Sequence, residues 1–172
     1  HYLYGANWDY NSENTIYMFD PNEAVRKTIW DGGGQDTFDF SGFALNLFVD
    51  LAPGSYSDAP TVGWDASQNI GIAFGAIIEN IIGGSGDDYL SGNSVDNRIT
   101  GGAGNDLLDG GDGLDTAIFN FDINYYTVTL SPTATTITDN FSGFSDGTDQ
   151  LIGIEFLVFD NDIGTSYDLN QF

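Results

Sequence analysis

Residues 83–118 read GGSGDDYLS (83–91), GNSVDNRIT (92–100), GGAGNDLLD (101–109) and GGDGLDTAI (110–118), four consecutive nonapeptides. Against the template G-G-x-G-x-D-x-U-x, where U is apolar, the five defined positions match in 17 of 20 places. The exceptions, Asn93, Val95 and Asn97, all fall in the second unit. A weaker copy precedes the array at 74–82, with Gly75, Glu79 and Ile81 in frame.

This period prescribes local structure. In each unit the first six residues form a turn, where glycine takes backbone angles that a Cβ obstructs. The last three form a short strand whose side chains alternate. Leu90, Ile99, Leu108 and Ala117 at the eighth position therefore point inward. Tyr89/Ser91, Arg98/Thr100, Leu107/Asp109 and Thr116/Ile118 point outward. Two units complete one coil, so turns 18 residues apart stack on the same side. The predicted architecture is all-β, a parallel β-roll, which is a form of β-helical solenoid.

The flanks divide the chain in three. Residues 1–73 read as a β-rich leading segment, with Thr37-Phe38-Asp39-Phe40 alternating like a strand and turns at Pro53-Gly54-Ser55-Tyr56 and Asp58-Ala59-Pro60. Within it residues 22–30 read as weakly helical. Residues 74–118 are the repeat array. Residues 119–172 read as a C-terminal antiparallel β cap, with Tyr126, Val128 and Leu130 on one face and Ile152, Ile154, Phe156 and Val158 as a second alternating set. Stacked repeats need such a cap, because the last coil otherwise exposes its apolar face.

The charge balance says what the turns hold. The 172 residues carry 26 acids against three basic residues, a formal net charge of −23, and 22 of the acids are Asp. Short carboxylates suit tight turns and oxygen-rich cation sites. With 41% hydrophobic and 15% aromatic residues the chain has material for a core, so the acids do not mark a disordered tail. Nucleic acid and anionic membrane surfaces are disfavoured as partners, since both demand Lys and Arg. No run of 18 apolar residues offers membrane insertion, and the absence of cysteine removes disulfides and thiolate metal sites. A charged and then apolar leader is also lacking, which leaves a fragment or export without a cleaved N-terminal signal.

Facing turns supply carbonyls and a sixth-position carboxylate, together the six or so oxygens that Ca²⁺ requires. The first such pair is Asp88 with Asp106, completed by carbonyls of Gly83, Ser85, Gly102 and Gly104. On the other side Asn97 pairs with Asp115, with carbonyls of Gly92, Ser94, Gly111 and Gly113, and Glu79 pairs with Asn97. Neutral Asn97 makes those sites weaker. Mg²⁺ fits less well because it wants rigid octahedral geometry, and zinc less well because His1 is the single histidine. The glycine-rich loop Asp31-Gly32-Gly33-Gly34-Gln35-Asp36, flanked by two Asp, is a further candidate oxygen cage or a plain turn.

These residues resemble the repeats-in-toxin (RTX) family. Leu3-Tyr4-Gly5-Ala6-Asn7, the stretch TIWDGGGQDTFDFSG at 28–42 and IENIIGGSG at 78–86 are similar to the C-terminal domain of serralysin-type secreted metalloproteases. The resemblance implies a parallel β-roll with several calcium ions, an upstream catalytic or adhesive domain in the same polypeptide, and type I secretion to the extracellular space. It also implies that Asp31, Gly33 and Asp36 help to hold a further calcium. The protease motif H-E-x-x-H is absent from the chain, and Tyr167-Asp168-Leu169-Asn170-Gln171-Phe172 is only loosely similar to a serralysin ending.

The expected function is a noncatalytic, monomeric calcium-binding module of a secreted exoprotein. The competing reading is an adhesion or carbohydrate-binding module, with Trp8, Trp30, Trp64 and nine tyrosines as stacking platforms for polysaccharide. An enzyme is disfavoured: there is no serine elbow or Cys-His pair, and a single Lys outside any phosphate loop.

Overall fold

The computed structural model describes residues 11–24, 26–63, 67–141, 146–159 and 165–171. The Leu3-Tyr4-Gly5-Ala6-Asn7 segment, His1, Trp8, Trp64 and Phe172 lie outside the described residues. Among those described there is no α-helix, only 3-10 turns at Ile123–Tyr125 and Leu169–Gln171. In chain order the strands are β1 (Ile16–Met18), β2 (Lys27–Ile29), β3 (Thr37–Asp39), β4 (Phe48–Asp50), β5 (Tyr56–Ser57), β6 (Ile70–Ile72), β7 (Asn80–Ile82) and β8 (Tyr89–Ser91). They continue with β9 (Arg98–Thr100), β10 (Leu107–Asp109), β11 (Thr116–Phe119), β12 (Tyr126–Leu130), β13 (Thr135–Asp139), β14 (Thr148–Ile152), β15 (Phe156–Phe159) and β16 (Tyr167–Asp168).

The repeat strands are three or four residues long, with the middle side chain buried and its neighbours partly open, as the period-two pleat requires. They pair in parallel and in frame. Ile81 lies opposite Ile99, Ile99 opposite Ala117, and Leu90 opposite Leu108. The same parallel pairing extends both ways: Phe38 opposite Ile81 and Val49 opposite Leu90 before the array, Leu108 opposite Leu151 and Ala117 opposite Leu157 after it. Two larger sheets result, ordered β1-β3-β7-β9-β11-β15-β16 and β12-β13-β14-β10-β8-β4, beside a small sheet β2-β6-β5.

The inner rows Phe38, Ile81, Ile99, Ala117, Leu157 and Val49, Leu90, Leu108, Leu151 belong to one hydrophobic cluster. Leu90, Ile99, Leu108 and Ala117 are all fully buried, as the eighth position predicts. Each larger side chain among them contributes about 1.5–3 kcal/mol on leaving water. Aromatic rings pack at both ends of the rows: Phe19, Phe38, Phe40 and Phe43 at one, Phe119, Tyr126 and Phe159 at the other. Antiparallel pairs join β12 to β13, β13 to β14 and β15 to β16, and in the leading segment β5 to β6, while β14 and β15 also continue the parallel pairing of β10 and β11.

Three local expectations are corrected. The described residues of 22–30 are not helical. Glu23 N–H donates to Asp20 O at 3.1 Å in a turn, and β-branched Thr28 and Ile29 enter strand β2. The set Ile152, Ile154, Phe156 and Val158 does not share a face. A bend at Gly153, with φ of 59°, separates two strands, so the inward residues are Leu151, Ile154, Leu157 and Phe159 while Ile152 is 41% exposed. On β12 the alternation fades outward, from buried Tyr126 to exposed Leu130.

Candidate metal centre

The sixth-position side chains form two rows of rungs between stacked turns. On one side Leu47 N–H donates to Asp88 Oδ1 at 2.8 Å, Asp88 N–H to Asp106 Oδ1 at 2.9 Å, and Asp106 N–H to Asp149 Oδ1 at 2.8 Å. On the other, Thr15 N–H donates to Asp36 Oδ1 at 2.7 Å and Asp36 N–H to Glu79 Oε2 at 2.7 Å. That side continues with Asn97 N–H to Asp115 Oδ1 at 2.7 Å and Asp115 N–H to Glu155 Oε2 at 2.8 Å. Every carboxylate thus reaches back to the N–H of the preceding turn. Only one oxygen of each is needed for this.

The second oxygens are the chemically informative ones. Asp36 Oδ2, Asp106 Oδ2 and Asp115 Oδ2 are buried and accept no hydrogen bond, and the three residues are at most 2% exposed. A buried carboxylate oxygen without a donor is costly unless a cation meets it. Burial accordingly pushes the carboxyl of Asp106 up to about 7, of Asp115 to about 6 and of Asp36 to about 7, and raises Asp88 and Glu79. An oxygen-seeking divalent cation reverses that preference for the protonated form. Among the described residues no three Asp, Glu, His or Cys side chains converge closely enough to hold an ion alone, so backbone carbonyls have to complete any site. The chemistry of this donor set fits Ca²⁺.

The turns are packed for carbonyl donors. A Cβ on Gly102, whose φ is 101°, collides with the carbonyl oxygen of Gly84 in the turn before it. In the first unit the reason for glycine differs: Gly84 has no left-handed φ, but a Cβ there collides with Phe43 O. Carbonyls of these turns that already accept backbone hydrogen bonds include those of Gly84, from Ala103 N–H at 3.1 Å, Asp88, from Leu107 N–H at 2.8 Å, Asn93, from Asp112 N–H at 3.1 Å, and Asn97, from Thr116 N–H at 2.9 Å. None of these four carbonyls is among those of the expected ligands Gly83, Ser85, Gly92, Ser94, Gly102, Gly104, Gly111 and Gly113. Those residues line the same stacked turns, with Gly104, Gly111 and Gly113 also at positive φ.

Individual positions differ in what they leave open. Asp88 takes Leu47 N–H on Oδ1 and Gly84 N–H on Oδ2 at 2.9 Å. Asn97 accepts from Asn93 N–H at 2.8 Å and donates through Nδ2 to Glu79 O at 3.0 Å, so an amide hydrogen bond bridges the gap between Glu79 and Asn97. In the leading loop Asp31 receives Gly33 N–H at 2.8 Å and the Tyr17 hydroxyl at 2.6 Å, which leaves Oδ2 of Asp36 as the buried carboxylate oxygen without a donor. Burial first, then the bond to Asp31, pushes the Tyr17 hydroxyl up to about 12.

Sequence reasoning missed Asp149 and Glu155 as members of these rows. They follow their partners by 43 and 40 residues rather than 18, because β12 and β13 interrupt the period. The signal was present in Gly147-Thr148-Asp149-Gln150-Leu151, which supplies the fourth, sixth and eighth positions of the template. Burial pushes the Asp149 carboxyl up to about 8.

The family described as peptidase M10 serralysin C terminal matches residues 3–163. The chain is 40% identical over 108 residues to Serralysin G of Dickeya chrysanthemi, covering 56% of this chain and 22% of that protein. It is 39% identical over 108 residues to Serralysin of Proteus mirabilis, covering 56% and 21%. With Metalloprotease AprA of Pseudomonas entomophila it shares 41% identity over 107 residues, covering 55% and 21%. The matching region thus spans about a fifth of the length of these relatives. A C-terminal, noncatalytic region is what the chain matches, and by that match it belongs to the peptidase M10 serralysin C-terminal family.

Proposed function

We propose that this chain is a calcium-binding parallel β-roll that folds and stabilises the end of a secreted, serralysin-like exoprotein. The observation that carries the reading is the set of buried carboxylate oxygens without donors at Asp36, Asp106 and Asp115, each between stacked turns. The ligand sets would be Asp88 and Asp106 with carbonyls of Gly83, Ser85, Gly102 and Gly104; Asn97 and Asp115 with those of Gly92, Ser94, Gly111 and Gly113; and Asp31, Gly33, Asp36 and Glu79 in the leading loop. Bound calcium supplies the positive charge that these acids lack.

Extracellular calcium modules bind with dissociation constants of ~10⁻⁴–10⁻³ M. On this reading the chain is loose at cytosolic calcium, passes a type I export channel and folds outside, where folding and ion binding are one equilibrium. The parent's activity resides in an upstream domain. Of the aromatics that could stack sugars, Trp8 and Trp64 lie outside the described residues, and Tyr89 has one ring face covered by Phe48 at a centroid distance of 5.1 Å.

Far-ultraviolet circular dichroism during a calcium titration tests the proposal. A cooperative gain of β signal in the sub-millimolar to millimolar range, reversed by chelator, is expected. A spectrum unchanged between excess chelator and ~10⁻² M calcium, well above the range of such modules, overturns it.

A further inference from the structure

The template leaves the fifth position of each nonapeptide undefined, yet here it carries a row of its own. Asn46 Oδ1 accepts from Asp87 N–H at 3.0 Å, Asp87 Oδ1 from Asn105 N–H at 2.8 Å, and Asn105 Oδ1 from Thr148 N–H at 3.1 Å. Asn105 Nδ2 adds a longer bond to Asp87 Oδ1 at 3.3 Å. These bonds run opposite to the sixth-position rungs. In the gap between the first and third units, Asp88 N–H reaches forward to Asp106 while Asn105 N–H reaches back to Asp87. Each turn therefore fixes its neighbour by one donor and one acceptor.

The opposite side lacks this continuity. There Asp96 Oδ1 accepts from Leu114 N–H at 2.9 Å, but the fifth position of the turn before is Ile78, fully buried, and that of the turn after is Leu114 itself, 57% exposed. Neither side chain can accept a hydrogen bond. A second rung, Gln35 N–H to Asn14 Oδ1 at 3.0 Å, lies beyond Ile78, so this side holds two separate single rungs rather than a continuous row.

We propose that Asp87 and Asn105, with Asn46 before them, couple a cation site in the gap between Asp88 and Asp106 to a second one in the gap between Asp106 and Asp149, making one cooperative unit, whereas the site between Asn97 and Asp115 fills independently. The proposal rests on the calcium reading above. An ion that orders one turn also fixes the acceptor on which the next turn's N–H docks, so the second ion meets a site already part-ordered. Asp87 and Asn105 act as positioning residues, outside the ligand set.

The test is calcium titration of the whole chain with two readouts, the Hill slope and the number of ions bound at saturation by equilibrium dialysis. Asp87→Ala should keep the ion count and lower the slope toward one, Asp87→Asn should restore the slope because it keeps the Oδ1 acceptor, and Asp96→Ala should leave the slope unchanged. Should Asp87→Ala fail to fold at saturating calcium, Asn46→Ala, which removes only the first rung, gives the same comparison. Loss of an ion in Asp87→Ala would make Asp87 a ligand and overturn the proposal, as would an unchanged slope. If the unaltered chain binds no calcium, the metal reading falls and the coupling with it, an outcome distinct from binding without a change in slope.

Discussion

Asp88 and Asp106 are joined by one hydrogen bond, from the backbone N–H of the first to Oδ1 of the second at 2.9 Å, while Oδ2 of Asp106 stays buried without a donor. One oxygen of the carboxylate is spent on stacking, and on the proposed calcium reading the other is the one a cation would meet. Asp106→Ala should therefore raise the calcium midpoint of folding about tenfold, the equivalent of about 1.4 kcal/mol. Asn97→Ala, which removes a neutral amide rather than a charged carboxylate, should raise it less than about threefold. Parallel circular dichroism titrations compare them.

Acid should favour the calcium-free fold. The carboxyls of Asp115, Asp106 and Asp149 are pushed up to about 6, 7 and 8, against 3.8 in the unfolded chain, chiefly by burial. Between these limits the folded state holds more protons than the unfolded one, so stability falls as pH rises. The contribution is present in full below pH 3.8 and is lost on passing through 6 to 8. In chelator, urea midpoints should drop from pH 5 to pH 8. With calcium, where protons compete for the same oxygens, the calcium midpoint should instead rise on acidification.

Gly102 and Gly63 separate two reasons for glycine. Both have a positive φ, but a Cβ on Gly63 meets nothing within 4 Å, whereas one on Gly102 strikes the Gly84 carbonyl. Gly63→Ala should cost roughly 1–2 kcal/mol from the backbone angle alone. Gly102→Ala should cost more than that and also impair calcium binding. Urea unfolding in saturating calcium measures the difference.

Core and surface apolar residues should behave oppositely. Leu108 is fully buried in the inner row and Leu114 is 57% exposed. Leu108→Ala should destabilise the calcium-loaded chain by about 2–5 kcal/mol. Leu114→Ala should stay within about 0.5 kcal/mol.

The repeat frame made the inner row legible before any coordinates, since glycine spacing fixes the turn and the pleat fixes the eighth position. The pairing of Asp88 with Asp106 and of Asn97 with Asp115 follows from the same arithmetic. Legibility ended where the period was broken. Ile152 and Ile154 look like one alternating face until the bend at Gly153 resets the pleat. Asp149 and Glu155 were hidden because residues between them and their partners do not keep the nine-residue count. The fifth-position bonds were invisible for another reason: an Asp or Asn at an undefined position is indistinguishable from ordinary surface polarity until its acceptor is seen to meet a neighbouring N–H.

The β12–β13 hairpin has a bearing on how such a stack tolerates added chain. Strands β10 and β14 pair in register although the loop between their sixth positions is 43 residues instead of 18. Closing the longer loop costs only about 0.8 kcal/mol more in chain entropy, because the cost grows with the logarithm of length. The hairpin tip, where Ser131 N–H meets Ala134 O at 3.1 Å, is exposed at Ser131, Pro132 and Thr133. That tip is thus a natural splice point, at which a reporter peptide or a whole domain could be grafted without disturbing the turns on either side.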